Sequence, residues 1–316
     1  MAAAPEISVL VPSRNHARYV EQCVRSALSQ EGVAVEVLAL DDESDDDSAA
    51  RLSAIEAPGY RFFAHPNRGL SRTLNRGLAL ARGRWIKFLP SDDFLLPGCL
   101  AAQLGAAEGF VATFCRPEVE DGEGRPLADP APQAWFDLPA GEGAAVARAL
   151  VARNPLCAPG ALFRRDAALA VGGFDPSLRV AQDYDLWLRL AARGSLRVEV
   201  ERRVVVRWHG ANQSARSTEA TEAERAYALV GALVRDGLSA WAERFADDPA
   251  GREPALMREL LQSGLREVQP FVRQLALDWL EQGRALPDAA WLEGLRGLAP
   301  ELFRPEAPGR GLEAES

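Results

Sequence analysis

The sequence predicts an α/β protein, with an open, mostly parallel sheet flanked by helices on both faces and a helical region toward the C-terminal end. Three observations carry this. Over the first hundred residues, short apolar runs of strand type alternate with segments whose apolar residues recur at helical spacing. Polar and acidic residues collect where the strand-like runs stop, which is where open parallel sheets bind ligands. Beyond about residue 216 strand signals give way to helix formers.

Each element has its own signal. Ile7–Val11 is a buried-strand run ended by Pro12. Val20, Cys23, Val24, Ala27 and Leu28 then fall on one helical face. Val35–Leu40 is a second strand, broken by the acidic run Asp41–Asp47, and a short helix follows from about Ser48 to Glu56. A third strand is expected at Tyr60–Ala64, a helix at Leu70–Arg82 with Gly83 as its C-cap, and a fourth strand at Trp85–Leu89. This β-α-β-α-β-α-β order implies a mostly parallel sheet. Residues 117–143, rich in Pro, Gly and acid, read as an irregular excursion. A helix near Ala144–Arg153, a strand near Ala161–Arg164, a Gly172-Gly173 turn, a helix over Asp183–Ala192 and a strand near Leu196–Val206 follow. Ser217 to about Leu298 is helix-forming, with breaks expected at Pro249, Pro270 and Pro287, and the last dozen residues read as a frayed tail. Two units follow: residues 1–215, divided into halves at about residue 100, and a helical region over 216–316.

Composition narrows the function. A chain of 316 residues, 47% hydrophobic and 26% charged, is globular, and its net charge of −9 argues against nucleic acid as a partner. Residues 216–316 hold 18 acidic residues against 12 arginines, so this third carries most of the excess. Cys23, Cys99, Cys115 and Cys157 lie far apart with no C-x-x-C, which predicts neither a zinc site nor a disulfide framework and makes a reducing cytoplasm the expected compartment. The opening MAAAPEISVL lacks the basic and apolar regions of a signal peptide, and no apolar run approaches the ~20 residues that cross a bilayer. Action at the inner face of a membrane stays open.

Three constellations could carry chemistry. Asp92-Asp93 end the fourth strand; adjacent carboxylates there can share a hard divalent cation with phosphate oxygens, although Ser-Asp-Asp is also common turn chemistry. In the Asp41–Asp47 run most acids suit a solvated helix start, while Asp42 could accept hydrogen bonds from a base N–H or a ribose hydroxyl. In GGFDPSLRVAQDYDLWLRLA, Asp183 stands at a helix start, either as an N-terminal cap or as a general base. Of the three histidines, His16 follows the first strand, His65 ends the third, and His209 lies in RWHGANQS.

Taken in order, the motifs ISVLVPSRNHARYVEQCVRSALSQ, LALDDESDDD, HPNRGLSRTLNRGLALARGRWIKFLPSDDFLLPGCL and GGFDPSLRVAQDYDLWLRLA resemble those of family-2 glycosyltransferases over roughly residues 5–214. The resemblance implies a GT-A fold, a Rossmann-like mixed sheet with helices on both faces. It implies an inverting transfer of a sugar from a nucleotide-diphosphate donor, with UDP-sugars the commonest in that family, to a saccharide or lipid-linked acceptor in cell-envelope or exopolysaccharide synthesis. Carried over by position, Pro12, Arg14, Asp42, Asn75 and Asp92 fall among the donor-binding residues, Asp93 at the metal (Mg²⁺ or Mn²⁺), Asp183 at the catalytic base, and His209 where some such enzymes add a C-terminal ligand to metal or diphosphate. Two departures stand out. Glu43 replaces a usual glycine, which predicts a shifted turn, and Gln182 replaces the usual Glu before the base.

Rival readings have discriminating features. A nucleotidyltransferase should show a Gly-rich basic loop after the first strand, and a dinucleotide oxidoreductase should show G-x-G-x-x-G; Pro12-Ser13-Arg14-Asn15 fits neither. A non-catalytic sugar-nucleotide-binding or assembly subunit stays open because of Gln182 and Glu43. The helical third is read either as a dimerisation or docking module or as a cover for the sheet, and the excursion at 117–143 is expected to set acceptor choice.

Overall fold

The computed structural model describes residues 4–127, 136–209, 212, 219–245, 255–257, 259–260 and 268–274. The chain begins with β1 (Ile7–Ser13), α1 (Val20–Leu28), β2 (Val35–Asp42), α2 (Ser48–Ser53), β3 (Tyr60–His65), α3 (Leu70–Leu80) and β4 (Trp85–Phe88). Next come β5 (Phe94–Leu95), α4 (Cys99–Ala106), β6 (Ala112–Asp121), β7 (Gly141–Glu142), α5 (Ala144–Ala152), a 3₁₀ turn (Ala158–Gly160), β8 (Ala161–Arg164) and α6 (Arg165–Ala170). Helix α7 (Gln182–Ala191), strand β9 (Leu196–Trp208) and helices α8 (Glu219–Asp236) and α9 (Leu238–Ala242) complete it.

The sheet runs β3-β2-β1-β4-β8-β6-β9-β5, with β7 on β9. The first four strands pair in parallel, in the register Val9↔Val37 and Ser13↔Asp41. The second half departs from the parallel expectation: β8 runs antiparallel to both β4 and β6, and β5 antiparallel to β9. The sheet is therefore mixed. Strand β6, which runs to Asp121, also shortens the expected excursion; its pairing with β9 orders residues 117–121, while 128–135 lie outside the described residues. Neither α4 nor α6 stands out in the sequence, because each is a single short segment in an alanine-rich stretch.

Alternation along β1 explains the layers. Ile7, Val9 and Val11 join Val20, Cys23, Val24 and Ala27 of α1 on one face, while Leu10 joins Leu74 and Leu78 of α3 on the other. With both faces covered, the strand reads as one continuous apolar run. Leu229, Ala232, Leu233 and Trp241 of α8 and α9 are buried in the same cluster as Trp187 and Leu188 of α7. The described part of the helical region thus packs against α7 in this core, with α8 and α9 separated at Gly237 (φ 84°). The breaks expected at Pro249 and Pro287 lie outside the described residues, whereas Pro270 falls inside a helical turn.

Gly83 is required for a different reason from C-capping. Helix α3 ends at Ala81 in extended backbone, and a Cβ on Gly83 would sit 2.5 Å from the Ser8 nitrogen and 2.7 Å from the Ile7 carbonyl carbon. The Gly83 N–H donates to Ser8 Oγ (2.8 Å), whose own proton goes to Glu36 (2.7 Å). Gly83→Ala is expected to lower unfolding stability by about 2–3 kcal/mol through backbone overpacking. Gly105→Ala, where a Cβ meets nothing within 4 Å, should be neutral or stabilising by up to about 1 kcal/mol. Urea unfolding of both variants tests the contrast.

Candidate active site

Strand β4 ends when the Leu89 N–H makes its last ladder bond to Leu10 (3.0 Å), and the turn that follows is closed by Asp93 N–H to Pro90 (3.0 Å). Ser91, Asp92 and Asp93 in this turn are buried. Their partners come from the far end of the chain. The backbone N–H of Arg207 in β9 donates to Asp93 Oδ1 (2.9 Å), and its guanidinium donates to the Asp92 carbonyl (2.6 Å) and to Gln22 Oε1. The same guanidinium lies between the rings of Tyr19 (4.9 Å) and Phe94 (4.7 Å).

Two residues beyond Arg207, His209 reaches the same turn. Its Nε2 is 3.2 Å from Asp92 Oδ2 and its ring stacks on Tyr19 at 5.7 Å. His16, just past β1, approaches from the other side: Nδ1 lies 2.8 Å from Ser91 Oγ and 3.8 Å from Asp92 Oδ1. Candidate ligand atoms of His16, Asp92 and His209 all lie within 4.8 Å of one another. Two imidazoles and a carboxylate form a donor set that fits a divalent first-row metal. Burial alone would raise the Asp92 carboxyl, but the His209 hydrogen bond and the charge of His16 hold it below its ordinary value. Asp93 is the opposite case, pushed well above its ordinary value by burial and by the Asp92 charge.

Asp92, expected at the donor sugar or ribose, is the carboxylate that faces both histidines. Asp93, expected at the metal, accepts the Arg207 backbone N–H. His209, expected as a C-terminal ligand to metal or diphosphate, stands against Asp92. His16 is the residue that sequence reasoning left unassigned. The signal that finds it is pairing: β1 and β4 are adjacent parallel strands, so residues following their C-terminal ends meet.

Asp183 opens α7, and its neighbours fix the helix in place. Tyr184 Oη donates to the Leu150 carbonyl (2.6 Å), and Arg189 is ion-paired with Asp185 and donates to the Val171 carbonyl (2.7 Å). The Asp183 carboxyl accepts from the Tyr184 N–H (2.7 Å) and the Asn154 amide (3.3 Å). Burial raises it to about 6, against the lowering pull of those bonds and of Arg225. Burial pushes the Cys157 thiol up, with the charges of Asp93 and Asp183 adding to it. Gln182 Oε1 is buried with no hydrogen-bond partner among the described residues. A carboxylate there would be harder to bury than this amide.

The other expected donor contacts have these surroundings. Pro12 is buried within β1 and Arg14 is exposed just past its end. The Asp42 oxygens accept the N–H groups of Arg68 (2.7 Å) and Gly69 (3.0 Å), so this carboxylate holds the entry to α3. Asn75 is an internal clamp: its amide donates to the Phe174 carbonyl (2.8 Å) and accepts the Phe174 N–H (2.7 Å), leaving little of it for a donor. The turn after Asp42 is not shifted. Glu43 itself adopts the left-handed conformation (φ 61°), and Ser44, bonded to Asp41 through N–H (3.0 Å) and hydroxyl (2.6 Å), locks it.

Residues 8–168 match the family described as Glycosyl transferase family 2. The chain belongs to that family. It is 35% identical over 205 residues to the uncharacterised protein MT1568 of Mycobacterium tuberculosis, covering 61% of this chain and 64% of that protein. It is 40% identical over 105 residues to the succinoglycan biosynthesis protein ExoO of Rhizobium meliloti, covering 33% and 30% of the two chains. The chain thus spans less than two thirds of the length of these relatives. Among solved structures it is similar to residues 1–349 of S. aureus TarS in complex with UDP-GlcNAc (TM-score 0.56, 15% identity, 94% and 91% coverage). It is also similar to the mannosyltransferase PcManGT of Pyrobaculum calidifontis in complex with GDP-Man and Mn²⁺ (TM-score 0.55, 22% identity, 94% and 81% coverage). At these identities the likeness establishes the fold, which is GT-A.

Which of the two aspartates a metal needs is open to direct test. Calorimetric titration with Mn²⁺ should show binding abolished or weakened at least about tenfold in Asp92→Asn and retained in Asp93→Asn, whose amide oxygen still accepts the Arg207 N–H. Loss in Asp93→Asn alone would restore the original assignment. Glu43→Gly, in contrast, should raise stability by about 1 kcal/mol by relieving the left-handed backbone, read as a shifted urea midpoint.

Proposed function

We propose that this chain is an inverting glycosyltransferase that moves a sugar from a nucleoside-diphosphate donor, UDP-linked in the first instance, to the hydroxyl of a saccharide or lipid-linked acceptor. The observation that carries the proposal is the convergence of His16, Asp92 and His209 at the strand ends, in a chain whose Asp183 is a buried carboxyl lifted to about 6. A base poised near neutrality, beside a place for a metal and diphosphate, is what a single displacement at an anomeric carbon needs. Support for an envelope or exopolysaccharide setting comes from the name of the ExoO relative. Among the described residues no helix is long and apolar enough to cross a membrane. Work in the cytoplasm, including at the inner face of a membrane, is in keeping with that.

Asp92, His209 and His16 are the residues that would hold Mn²⁺ or Mg²⁺, which when bound supplies positive charge against the departing diphosphate. Two nitrogens in the set favour Mn²⁺, since Mg²⁺ prefers oxygen ligands. Arg207 keeps the Asp92 backbone from moving as charge builds up in the turn. Asp183, held by Tyr184 N–H and Asn154, takes the proton of the attacking acceptor hydroxyl at Oδ as the anomeric bond breaks. The fixed helix keeps that oxygen in place, so the reaction avoids reorganising its base. No covalent sugar intermediate is called for.

The test is release of nucleoside diphosphate from UDP-glucose, UDP-N-acetylglucosamine and GDP-mannose in the presence of Mn²⁺ and an oligosaccharide acceptor panel. Turnover of one donor should fall about 10²–10⁴-fold in Asp183→Asn. The rate should also decline as pH falls through about 6, because a raised carboxyl pKa leaves the base protonated below that value. Linkage adds a second expectation. A carboxyl whose folded pKa lies above its unfolded value costs stability as pH rises from about 4 to 6, so Asp183→Asn should unfold no earlier than wild type at pH 8. A wild-type chain that binds nucleotide sugars without turning any over, with its biological role unaffected by Asp183→Asn, would instead favour the non-catalytic reading. Dimerisation or docking through residues 216–316 is a separate proposal, tested by the mass of the intact chain in solution.

A further inference from the structure

Helix α7 carries the proposed base, yet its own sequence supplies no cap. Ala181 stands at the N-cap position and no side chain bonds there from the helix entry. Backbone N–H groups turned away from water must find acceptors. Those leading into this helix find one on α8. The two Glu224 oxygens accept the N–H groups of Arg179 (3.1 and 3.0 Å), Val180 (2.7 Å) and Ala181 (3.0 Å). The next residue, Arg225, donates to Glu222 (3.0 Å), and its positive charge pulls the Asp183 carboxyl down after the Tyr184 N–H and Asn154 bonds. Both residues are half-buried, flanked by buried Ala226, Ala228 and Leu229.

We propose that α8 is part of the catalytic unit, with Glu224 and Arg225 as positioning residues that fix where the Asp183 carboxyl sits and which charges surround it. The inference rests on Asp183 being the base. A helix that merely covered the sheet would need only its apolar face, Leu229, Ala232 and Leu233. Three consecutive N–H groups gathered by one carboxylate, directly before the turn that carries Asp183, are a more specific device. The division of labour follows from the donors available. Glu224 takes the N–H groups that precede the helix, so Asp183 is left with the Tyr184 N–H and the Asn154 amide. Burial raises the carboxyl, and the Tyr184 N–H, the Asn154 amide and then the charge of Arg225 pull it back. The groups bonded to Asp183 are the Tyr184 N–H on α7 and the Asn154 amide from the segment after α5; Arg225 on α8 acts through its charge, and the Asp183 charge in turn acts on Cys157.

The experiment uses the full chain with Glu224→Ala, Glu224→Gln and Arg225→Gln. The first readout needs no substrate: ¹³C NMR titration of the Asp183 carboxyl, identified by its loss in Asp183→Asn. Arg225→Gln should raise its midpoint by about half to one pH unit. The second readout is kcat and KM for whichever of UDP-glucose, UDP-N-acetylglucosamine and GDP-mannose is turned over, beside calorimetric affinity for UDP and GDP with Mn²⁺. Glu224→Ala should lower kcat about tenfold or more while nucleotide affinity stays within about twofold, and Glu224→Gln should recover part of the loss. If Glu224→Ala fails to fold, Glu224→Gln and Arg225→Gln carry both readouts. An unmoved Asp183 midpoint in Arg225→Gln with unchanged kcat in the Glu224 variants would overturn the proposal. So would losses of kcat and nucleotide affinity that simply track a fall in Tm. Absence of turnover in wild type would sink the transferase reading instead, and the NMR titration would then decide this inference alone.

Discussion

The site depends on one buried cation. Arg207 lies between two aromatic rings and gives its N–H groups to the Asp92 carbonyl, the Asp93 carboxyl and Gln22. Burying a guanidinium is costly unless its donors are satisfied, so it is held only where all of these partners meet. The consequence is geometric. It fixes the end of β9 against the turn after β4, and so sets His209 on Asp92 although 117 positions separate them. Tyr19 serves both ends, packing against Arg207 with its ring and against His209 by stacking.

The rest of the fold supports this junction from two sides. The parallel half, β3-β2-β1-β4, aligns the strand ends so that His16 and the Ser91–Asp93 turn face each other. The mixed half, through β6 and β9, carries the chain back to His209, so the metal candidate draws on both halves of the sheet while the base candidate stands on α7. Helix α8 ties the second of them down, because its Glu224 completes a helix start that lacks a cap of its own. Among the described residues α8 shares its core with α7.

Much of the fold was legible because parallel strands covered on both faces leave an unbroken apolar signature, as in Ile7–Val11 and Val35–Leu40, and because helices such as Leu70–Leu80 show one apolar face. Strand β6 was not, since its outer half (Pro117, Glu118, Glu120, Asp121) is polar and is ordered by pairing with β9 rather than by its own composition. At the site, residue types were readable and partners were not. Asp92 and Asp93 are adjacent and chemically alike; only the Arg207 backbone and the two imidazoles distinguish them. Asp42 and Asn75 look like ligand contacts in a sequence, yet both satisfy backbone groups of neighbouring loops. Glu43 looks like a disrupted turn and instead accepts the left-handed backbone, because Ser44 and Asp41 lock the residues beside it.

The central claim is that Asp92, His209 and His16 converge on one ion. Pulsed electron paramagnetic resonance of Mn²⁺ bound to the intact chain, with uniformly ¹⁵N-labelled protein compared with unlabelled protein, tests it most directly. Modulation from two histidine nitrogens, reduced to one by His16→Ala or His209→Ala, is the result this account predicts. Mn²⁺ bound with no nitrogen coupling at all would contradict it, and would mean that oxygen ligands alone hold the ion.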